Sequence, residues 1–223
     1  MHHPESPVSE AKKPSMKAAV IPVTPFQQNC TLIWDEKSGS GAVVDPGGDV
    51  DRIREAIAEV GMTPEKIVLT HGHIDHAGGA AELKELLGVA IEGPHRADAF
   101  LLDGLEQQGR EYGFAARNVT PDRWLDEPGT LVIGSHEFEI FHCPGHSPGS
   151  LVYVNHAHKF ILMGDVLFQG SIGRTDFPYG DHDALITAIK TKLLKLDDAY
   201  AFIPGHGPGS SIGMERRTNP FLK

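Results

Sequence analysis

The segment Thr70-His71-Gly72-His73-Ile74-Asp75-His76-Ala77-Gly78-Gly79 places three imidazoles and a carboxylate within six consecutive positions. It directly follows the apolar run Ile67-Val68-Leu69 and directly precedes a helix-like segment at 80–87. A strand that ends in this way delivers all four side chains into one crevice. Imidazole and carboxylate donors suit zinc, iron or manganese, whereas closed structural zinc sites often use thiolates. The segment therefore predicts an open metal site, in preference to a histidine-rich surface loop or a purification tag.

Three more candidate ligands share one local pattern, a short apolar strand followed by glycine and then histidine or aspartate: His146, Asp165 and His206. Glycine at that position lets the backbone turn sharply, so that the next side chain can point back over the strand ends. Seven donors are too many for one tetrahedral ion. We therefore predict two divalent metal ions, with zinc as the first choice and iron or manganese as alternatives.

Two ions can share the seven donors if one carboxylate lies between them. We assign His71, His73 and His146 to one ion and Asp75, His76 and His206 to the other, with Asp165 between them. Asp75 and Asp165 are then the carboxylates of the predicted catalytic centre. They neutralise only part of the metal charge, so the site would attract an electron-rich carbonyl, and water between the ions would ionise near neutral pH.

Asp45 lies at the end of the third predicted strand, in Asp45-Pro46-Gly47. The motif is typical of a turn, but an aspartate there could also orient a ligating imidazole, and both interpretations stay open. The sequence contains 13 histidines. Those that lack the strand-glycine context are interpreted as surface or packing residues: His95, His136, His142, His156, His158 and His182. His2 and His3 belong to a polar tail.

Composition restricts the function classes. The formal net charge is −10, and no stripe of Lys and Arg is visible, which argues against nucleic acid or an anionic membrane as the main partner and favours a small-molecule substrate. Cys30 and Cys143 form neither a Cys-x-x-Cys motif nor a disulfide framework, which favours a cytoplasmic location. Residues 1–15 lack an apolar core, so we expect a disordered polar tail before a single domain at 16–223.

Apolar alternation and turn residues predict strands at 18–23, 30–34, 42–44, 66–70, 89–91, 130–133, 137–141, 151–155, 160–163 and 201–203. Helical spacing predicts helices at 49–60, 80–87 and 181–196, the second burying Leu83, Leu86 and Leu87. The stretch 94–122 is expected to be helix and loop over the crevice. Consecutive strands with amphipathic helices indicate an α+β fold in which packed sheets are covered by helices.

These motifs resemble the metallo-β-lactamase fold superfamily, whose His-x-His-x-Asp-His motif stands here at 71–76, followed in order by His146, Asp165 and His206. The resemblance implies a four-layer αββα sandwich with the site at one edge. The flanking segments are similar to glyoxalase II, particularly its short single-domain bacterial relatives. The similar stretches are 28–30 (QNC), 44–48 (VDPGG), 143–150 (CPGHSPGS) and 170–177 (GSIGRTDF).

The resemblance to glyoxalase II implies hydrolysis of a hydroxyacyl-glutathione thioester by a metal-bridging hydroxide, with a thiolate as the leaving group. Full-length glyoxalase II has a helical C-terminal domain with basic contacts to glutathione, whereas this sequence ends soon after His206. Arg174, where that family has a basic residue, is then the expected partner of a substrate carboxylate, and the alternative is a structural ion pair with Asp176. Phe177 and Tyr179 are expected to line the pocket.

Two other functions compete with thioester hydrolysis. The stretch 173–177 is also similar to persulfide dioxygenases of the same fold, which use one iron held by the equivalents of His71, His146 and Asp165. A metal-stabilised binding module without catalysis is the second, but structural zinc sites are normally closed and often contain cysteine. Nuclease activity is disfavoured by the net charge, and β-lactam hydrolysis by the flanking motifs.

Overall fold

A computed structural model describes residues 15–223, and two β-sheets form its centre. The first sheet has five strands in sequential order, β1 (Met16–Val23), β2 (Gln28–Asp35), β3 (Ser40–Val44), β4 (Thr63–Val68) and β5 (Ala90–Glu92). The second has six strands in the order β13-β12-β9-β8-β7-β6, namely β6 (Thr130–Ile133), β7 (His136–His142), β8 (Leu151–Asn155), β9 (Phe160–Gly164), β12 (Ala201–Pro204) and β13 (Ser210–Ser211). β10 (Leu167–Phe168) and β11 (Ser171–Ile172) form a separate small ribbon. The polar tail predicted at 1–15 lies outside the described residues except for Ser15.

Helices accompany both sheets. α1 (Val50–Val60), α2 (Ile74–Ala77), α3 (Ala80–Leu87), α4 (Ala99–Leu102) and α5 (Leu105–Tyr112) follow strands of the first sheet, and α6 (His182–Thr191) and α7 (Ile212–Thr218) belong to the second half of the chain. Single 3₁₀ turns occur at Arg96–Asp98, Leu193–Lys195 and Pro220–Leu222. Gly61 and Gly88 end α1 and α3 in the left-handed conformation, which glycine adopts without strain.

The central strands β2, β3, β8 and β9 are buried on both faces, and side-chain alternation sends neighbouring residues into different cores. In β8, Val152 and Val154 face a core formed with α6 and α7, whereas Leu151 and Tyr153 face the first sheet. In the first sheet, Val43 packs toward the helices. Each fully buried aliphatic side chain of this kind contributes about 1.5–3 kcal/mol relative to exposure.

Three apolar cores therefore separate four layers. One core lies between the first sheet and α1 to α5, one lies between the two sheets, and one lies between the second sheet and α6 and α7. This arrangement confirms the predicted αββα sandwich of the metallo-β-lactamase type within the α+β class. No helix within 15–223 is both long and apolar enough to cross a lipid bilayer.

The structure differs in detail from several predictions about side-chain burial and element boundaries. Leu86, predicted to be buried, is 49% exposed, and only Leu83 of the three leucines predicted for that face is fully buried. The helix predicted at 181–196 ends at Thr191, and a 3₁₀ turn follows it. The strand predicted at 66–70 ends at Val68, because Thr70 leaves the sheet to bond with Asp45. The stretch 94–122 contains the 3₁₀ turn at Arg96–Asp98, α4 and α5.

Candidate metal centre

All seven predicted donors meet at one edge of the two sheets. His71 and His73 follow β4 of the first sheet, and α2 carries Asp75 and His76. The remaining three come from the second sheet, His146 after β7, Asp165 directly after β9 and His206 shortly after β12. The centre is thus assembled from both sheets, across the open edge of the core between them.

Three imidazole nitrogens form the first donor group. His73 Nδ1 lies 3.0 Å from His71 Nε2 and 3.0 Å from His146 Nε2. The rings meet nearly edge to face, with His71 and His146 each close to perpendicular to His73. Three ring nitrogens that converge in this way can share one cation, which uses the lone pair of each.

Asp75, His76 and His206 form the second donor group. Asp75 Oδ2 lies 3.0 Å from His206 Nε2 and 3.7 Å from His76 Nε2. Asp165 stands between the two groups: its Oδ1 is 3.3 Å from His76 Nε2, and its Oδ2 is 3.5 Å from His146 Nε2. One carboxylate therefore faces both groups.

In His146, His206 and His76, one ring nitrogen faces the donor groups, and the other, called here the rear nitrogen, has a hydrogen-bond partner behind it. His146 Nδ1 donates to the carbonyl oxygen of Arg174 at 2.9 Å, and His206 Nδ1 donates to that of Phe26 at 3.2 Å. His76 Nδ1 lies 2.8 Å from a carboxylate oxygen of Asp45. A proton held at the rear nitrogen leaves the lone pair of the front nitrogen free, which is the arrangement that ligating histidines normally have.

The charge states of the two groups differ. Burial, reinforced by the neighbouring imidazole of His146, lowers the pKa of His73 to about 3. Burial also lowers the pKa of His71. Both rings are consequently neutral at physiological pH, and neutral imidazole is the form that binds metal.

In the second group, burial opposes the charged form of each residue, but opposite charges outweigh it. Burial favours a lower pKa for His76, yet Asp165, Asp75 and Asp45 together raise that pKa well above its usual range, so the ring holds a proton that a bound cation would displace. Burial likewise favours a higher pKa for Asp165 and Asp75, and the field of His76 holds the pKa of each carboxyl below its usual value. Both carboxyl groups are therefore ionised at neutral pH.

Two observations fit a cation here. His76 Nε2 and Asp165 Oδ1 are buried and, within 15–223, have no hydrogen-bond partner of acceptable geometry, a costly state unless something else satisfies them. Gly205 makes room at the same place, because a Cβ there would lie 2.0 Å from Asp165 Oδ1 and 2.6 Å from His76 Cε1. The residues present thus fit a divalent metal.

Asp45 has the backbone conformation of a turn residue and also contacts a donor imidazole. Its backbone is left-handed, with φ of 52°. Its carboxylate accepts hydrogen bonds from the Thr70 amide at 2.7 Å and the Thr70 hydroxyl at 2.6 Å, in addition to its contact with His76 Nδ1. Asp45, His71 and His76 are close enough to form a third donor group, but these bonds already engage the Asp45 oxygens.

The three predicted substrate residues lie beside the first donor group. Tyr179 Oη is 2.8 Å from His73 Nε2, and the Phe177 ring centroid is 4.9 Å from that of His73. Arg174 forms a two-bonded ion pair with Asp176, at 2.7 and 2.9 Å, in agreement with the structural alternative, and its guanidinium also lies over the Phe177 ring. The Arg174 side chain is 63% exposed, so solvent has access to it.

Two supporting residues were not predicted as part of the site. Asp98 is fully buried and accepts from the Gly72 amide, the Ser147 hydroxyl and the Gly149 amide, so it joins the loops that carry His73 and His146. It lies in the stretch 94–122, where no periodic pattern indicated it. Asn29 lies in the 28–30 stretch and binds the backbone carbonyls of Pro204 and Gly207 on either side of His206.

The six histidines interpreted as surface or packing residues belong to no donor group among residues 15–223. His95 stacks on His142 with centroids 4.2 Å apart, and His136 packs against His158 at 5.1 Å. His156 bonds to Glu139 and to Tyr200. His182 is exposed at the first position of α6.

Comparison with known proteins identifies the family of this chain. A model of the metallo-beta-lactamase superfamily matches residues 23–206. Hydroxyacylglutathione hydrolase GloC of Haemophilus influenzae is 46% identical over 93% of this chain and 98% of its own length.

Two solved structures are similar throughout. BLEG-1, described as a B3 metallo-beta-lactamase, is 35% identical with a TM-score of 0.85, over 92% of this chain and 99% of that one. TTHA1623, crystallised in a di-iron-bound form, is 36% identical with a TM-score of 0.82, over 92% of this chain and 100% of that one. The chain therefore belongs to the metallo-beta-lactamase superfamily, as one of its metallo-hydrolases.

Proposed function

We propose that this protein is a thioester hydrolase that acts on a hydroxyacyl-glutathione. The observation that carries the proposal is the pair of donor groups that face one carboxylate, Asp165, at one edge of the sandwich. The 46% identity to hydroxyacylglutathione hydrolase GloC supports the substrate class. A donor set of imidazoles and carboxylates without cysteine argues against a closed structural site and thus against a binding module.

In this proposal His71, His73 and His146 would hold one divalent ion, Asp75, His76 and His206 would hold the second, and Asp165 would be shared between the two groups. Zinc remains the first choice, with iron and manganese as alternatives that the same donors accept. The di-iron form of TTHA1623 supports the iron alternative. Bound divalent ions would supply Lewis-acid polarisation of a carbonyl and ionisation of water near neutral pH.

The protein's own residues prepare the site. Asp75 and Asp165 stay ionised, so they offset part of the metal charge and are the carboxylates that we assign to the catalytic centre. Phe177 and Tyr179 stack with centroids 5.3 Å apart and cover the first donor group on one side. Arg174 can exchange its exposed partner Asp176 for a substrate carboxylate at little cost, because exposed ion pairs contribute only about 0–1 kcal/mol. A thiolate leaves without prior protonation, so the proposal requires no general acid.

The test combines metal analysis with an assay. Protein purified without added metal is analysed for zinc, iron and manganese per chain, and hydrolysis of S-lactoylglutathione is followed by release of free thiol. We expect about two ions per chain and turnover that a chelator abolishes. Absence of thiol release from the fully metallated protein would contradict the proposed substrate class.

Two parallel assays examine the rival reactions. Oxygen uptake with glutathione persulfide, together with one iron per chain, would identify a dioxygenase that uses His71, His146 and Asp165. A chromogenic cephalosporin tests β-lactam hydrolysis, which the similarity to BLEG-1 makes worth measuring. Hydrolysis of the thioester with no activity in either assay is the expected result. A metallated protein that turned over none of the three would favour the binding module.

We also propose a cytoplasmic location and a single domain over 16–223. The free thiols of Cys30 and Cys143 are both buried, and burial raises the pKa of each, so neither is poised to form a disulfide. The core between the sheets draws residues from both halves of the chain, which supports one folding unit. A small-molecule substrate, without nucleic acid or membrane, remains the proposed partner.

A further inference from the structure

Within the first donor group, His73 contributes a different ring nitrogen from His71 and His146. It presents Nδ1 toward the other rings, whereas His71 and His146 both present Nε2. The rear atom of His73 is therefore Nε2, and this atom faces Tyr179 Oη at 2.8 Å. Backbone carbonyls from within the fold hold the rear nitrogens of His146 and His206, but for His73 the rear partner is a tyrosine side chain.

Hydrogen-bond chemistry fixes the direction of this contact. A neutral imidazole carries one proton, and Nδ1 can offer a lone pair only when that proton resides on Nε2. Nε2–H then donates, and the Tyr179 oxygen accepts. The phenolic oxygen has lone pairs that can accept this bond at 2.8 Å.

The Tyr179 ring is held in place. It stacks on Phe177 with an interplanar angle of 11°, and the Phe100 ring meets it edge to face with centroids 5.2 Å apart. A fixed ring places the hydroxyl reproducibly behind His73. A flexible polar side chain on the same loop would offer no such constraint, because its ordering would cost rotamer entropy.

We propose that Tyr179 is a positioning residue for the metal ligand His73: its hydroxyl holds the Nε2–H tautomer and the ring orientation that direct Nδ1 toward His71 and His146. The inference rests on the ligand set of the proposed function. It changes the role first expected for Tyr179, from a wall of the substrate pocket to a support of the metal centre. Outer partners of ligating histidines typically contribute about 10- to 100-fold to metal affinity.

The variant Tyr179→Phe tests this role, because it keeps the stacked ring and removes only the hydroxyl. Tyr200→Phe is the matched control, since Tyr200 Oη bonds to His156 Nδ1 at 2.7 Å and His156 belongs to no donor group within 15–223. Zinc affinity of both variants and the wild type is measured by competition with a chromophoric chelator. Thermal unfolding of the metal-free proteins reports whether each variant folds normally.

We expect Tyr179→Phe to bind one zinc ion per chain about 10- to 100-fold more weakly, with the other ion bound as in the wild type. Tyr200→Phe should bind both ions with unchanged affinity. Wild-type zinc affinity in Tyr179→Phe, with a raised KM for the thioester, would overturn the inference and return Tyr179 to the pocket. The affinity comparison needs no turnover, so its outcome is separate from that of the proposed reaction.

Discussion

His146 joins the metal centre to the loop that carries the predicted substrate residues. Its Nε2 lies 3.0 Å from His73 Nδ1, and its Nδ1 donates to the carbonyl of Arg174. Gly145 before it has φ of 134° and lies so close to α6 that a Cβ would be 2.5 Å from Leu185 Cβ. A left-handed, crowded glycine is therefore what turns this side chain into the crevice.

We expect His146→Ala to lose one metal ion per chain and most thioester turnover, because two imidazoles and a shared carboxylate hold the first ion poorly. The side chain lies at the edge of the sandwich, outside its three apolar cores, so the fold should persist. Metal analysis, the thiol-release assay and circular dichroism measure the three quantities.

His182→Ala is the matched control, since His182 is exposed on α6, and it should keep both ions and full activity. Unchanged turnover in His146→Ala would refute the ligand assignment. The same comparison distinguishes specific ligation from a general loss of histidine, because both variants remove one imidazole.

Gly205 gives a second prediction at this scale. In Gly205→Ala the new Cβ would overlap Asp165 Oδ1 and His76 Cε1, so the two donors must move apart. We expect loss of the ion held by Asp75, His76 and His206, and a decrease in stability of about 1–3 kcal/mol, typical of overpacking. Urea unfolding and metal analysis check this.

Gly104→Ala is the control for Gly205→Ala, because the nearest atom to a Cβ at that glycine is 3.5 Å away and its φ is negative. It should leave metal content and stability close to those of the wild type. A Gly205→Ala protein with two ions and wild-type stability would show that the crowding at Asp165 is relieved without cost.

The need for glycine before His146, Asp165 and His206 was predictable from the sequence, but its physical reason was predictable only in part. Gly145 and Gly164 have positive φ, as the argument from sharp turns requires. Gly205 has no positive φ. A side chain is excluded there because Asp165 and His76 lie too close to leave room for a Cβ. Such crowding depends on residues distant in sequence, so no local pattern could indicate it.

At the scale of the element, the 3₁₀ turn Arg96–Asp98 acts as a brace between two ligand loops. Asp98 accepts at 2.8 Å from the Gly72 amide, at 2.7 Å from the Ser147 hydroxyl and at 2.5 Å from the Gly149 amide. Burial raises the pKa of Asp98, which these bonds oppose. One buried side chain therefore connects the first sheet's metal loop to that of the second sheet.

We expect Asp98→Ala to destabilise the protein and to weaken metal binding. Removal of the carboxylate leaves two buried amides without an acceptor, at a cost of about 1–3 kcal/mol for each. The exposed Asp103, five residues along the same stretch, supplies the control Asp103→Ala, which should unfold like the wild type. Urea denaturation of metal-free protein measures the first effect, and chelator competition measures the second. Equal midpoints for Asp98→Ala and Asp103→Ala would contradict the brace.

The elements themselves were largely predictable, and the failures have a common cause. β8 was predictable because both of its faces are buried, which gives the continuous apolar run Val152, Tyr153 and Val154. Leu86 satisfies helical spacing, yet α3 leaves that face to solvent, because no layer covers it there. The stretch 94–122 folds against neighbouring elements instead of following its own periodicity, so Asp98 could not be assigned from sequence.

At the scale of the whole molecule, the two donor groups lie at the open edge between two sheets that otherwise meet through apolar side chains. His71, His73, Asp75 and His76 come from the half with the first sheet, and His146, Asp165 and His206 come from the other half. Cations bound by donors of both halves would link the sheets in the folded state only. The order of donors along the chain made this convergence predictable, whereas its contribution to stability depends on the assembled geometry.

Removal of metal should therefore lower the melting temperature. A ligand that binds only the folded protein stabilises it by about 2.7 kcal/mol at 100 times its Kd and by about 4.1 kcal/mol at 1,000 times its Kd. We expect the chelated protein to melt at a lower temperature, and the melting temperature to rise again with added zinc in a concentration-dependent manner. His146→Ala should show a smaller dependence on zinc than His182→Ala, because only the former loses a donor that links the two halves. The donors come together only in the folded protein, so the free energy of metal binding should add to the free energy of folding. Identical melting temperatures of the metal-free and zinc-loaded wild type would therefore mean that the bound ions do not couple the sheets.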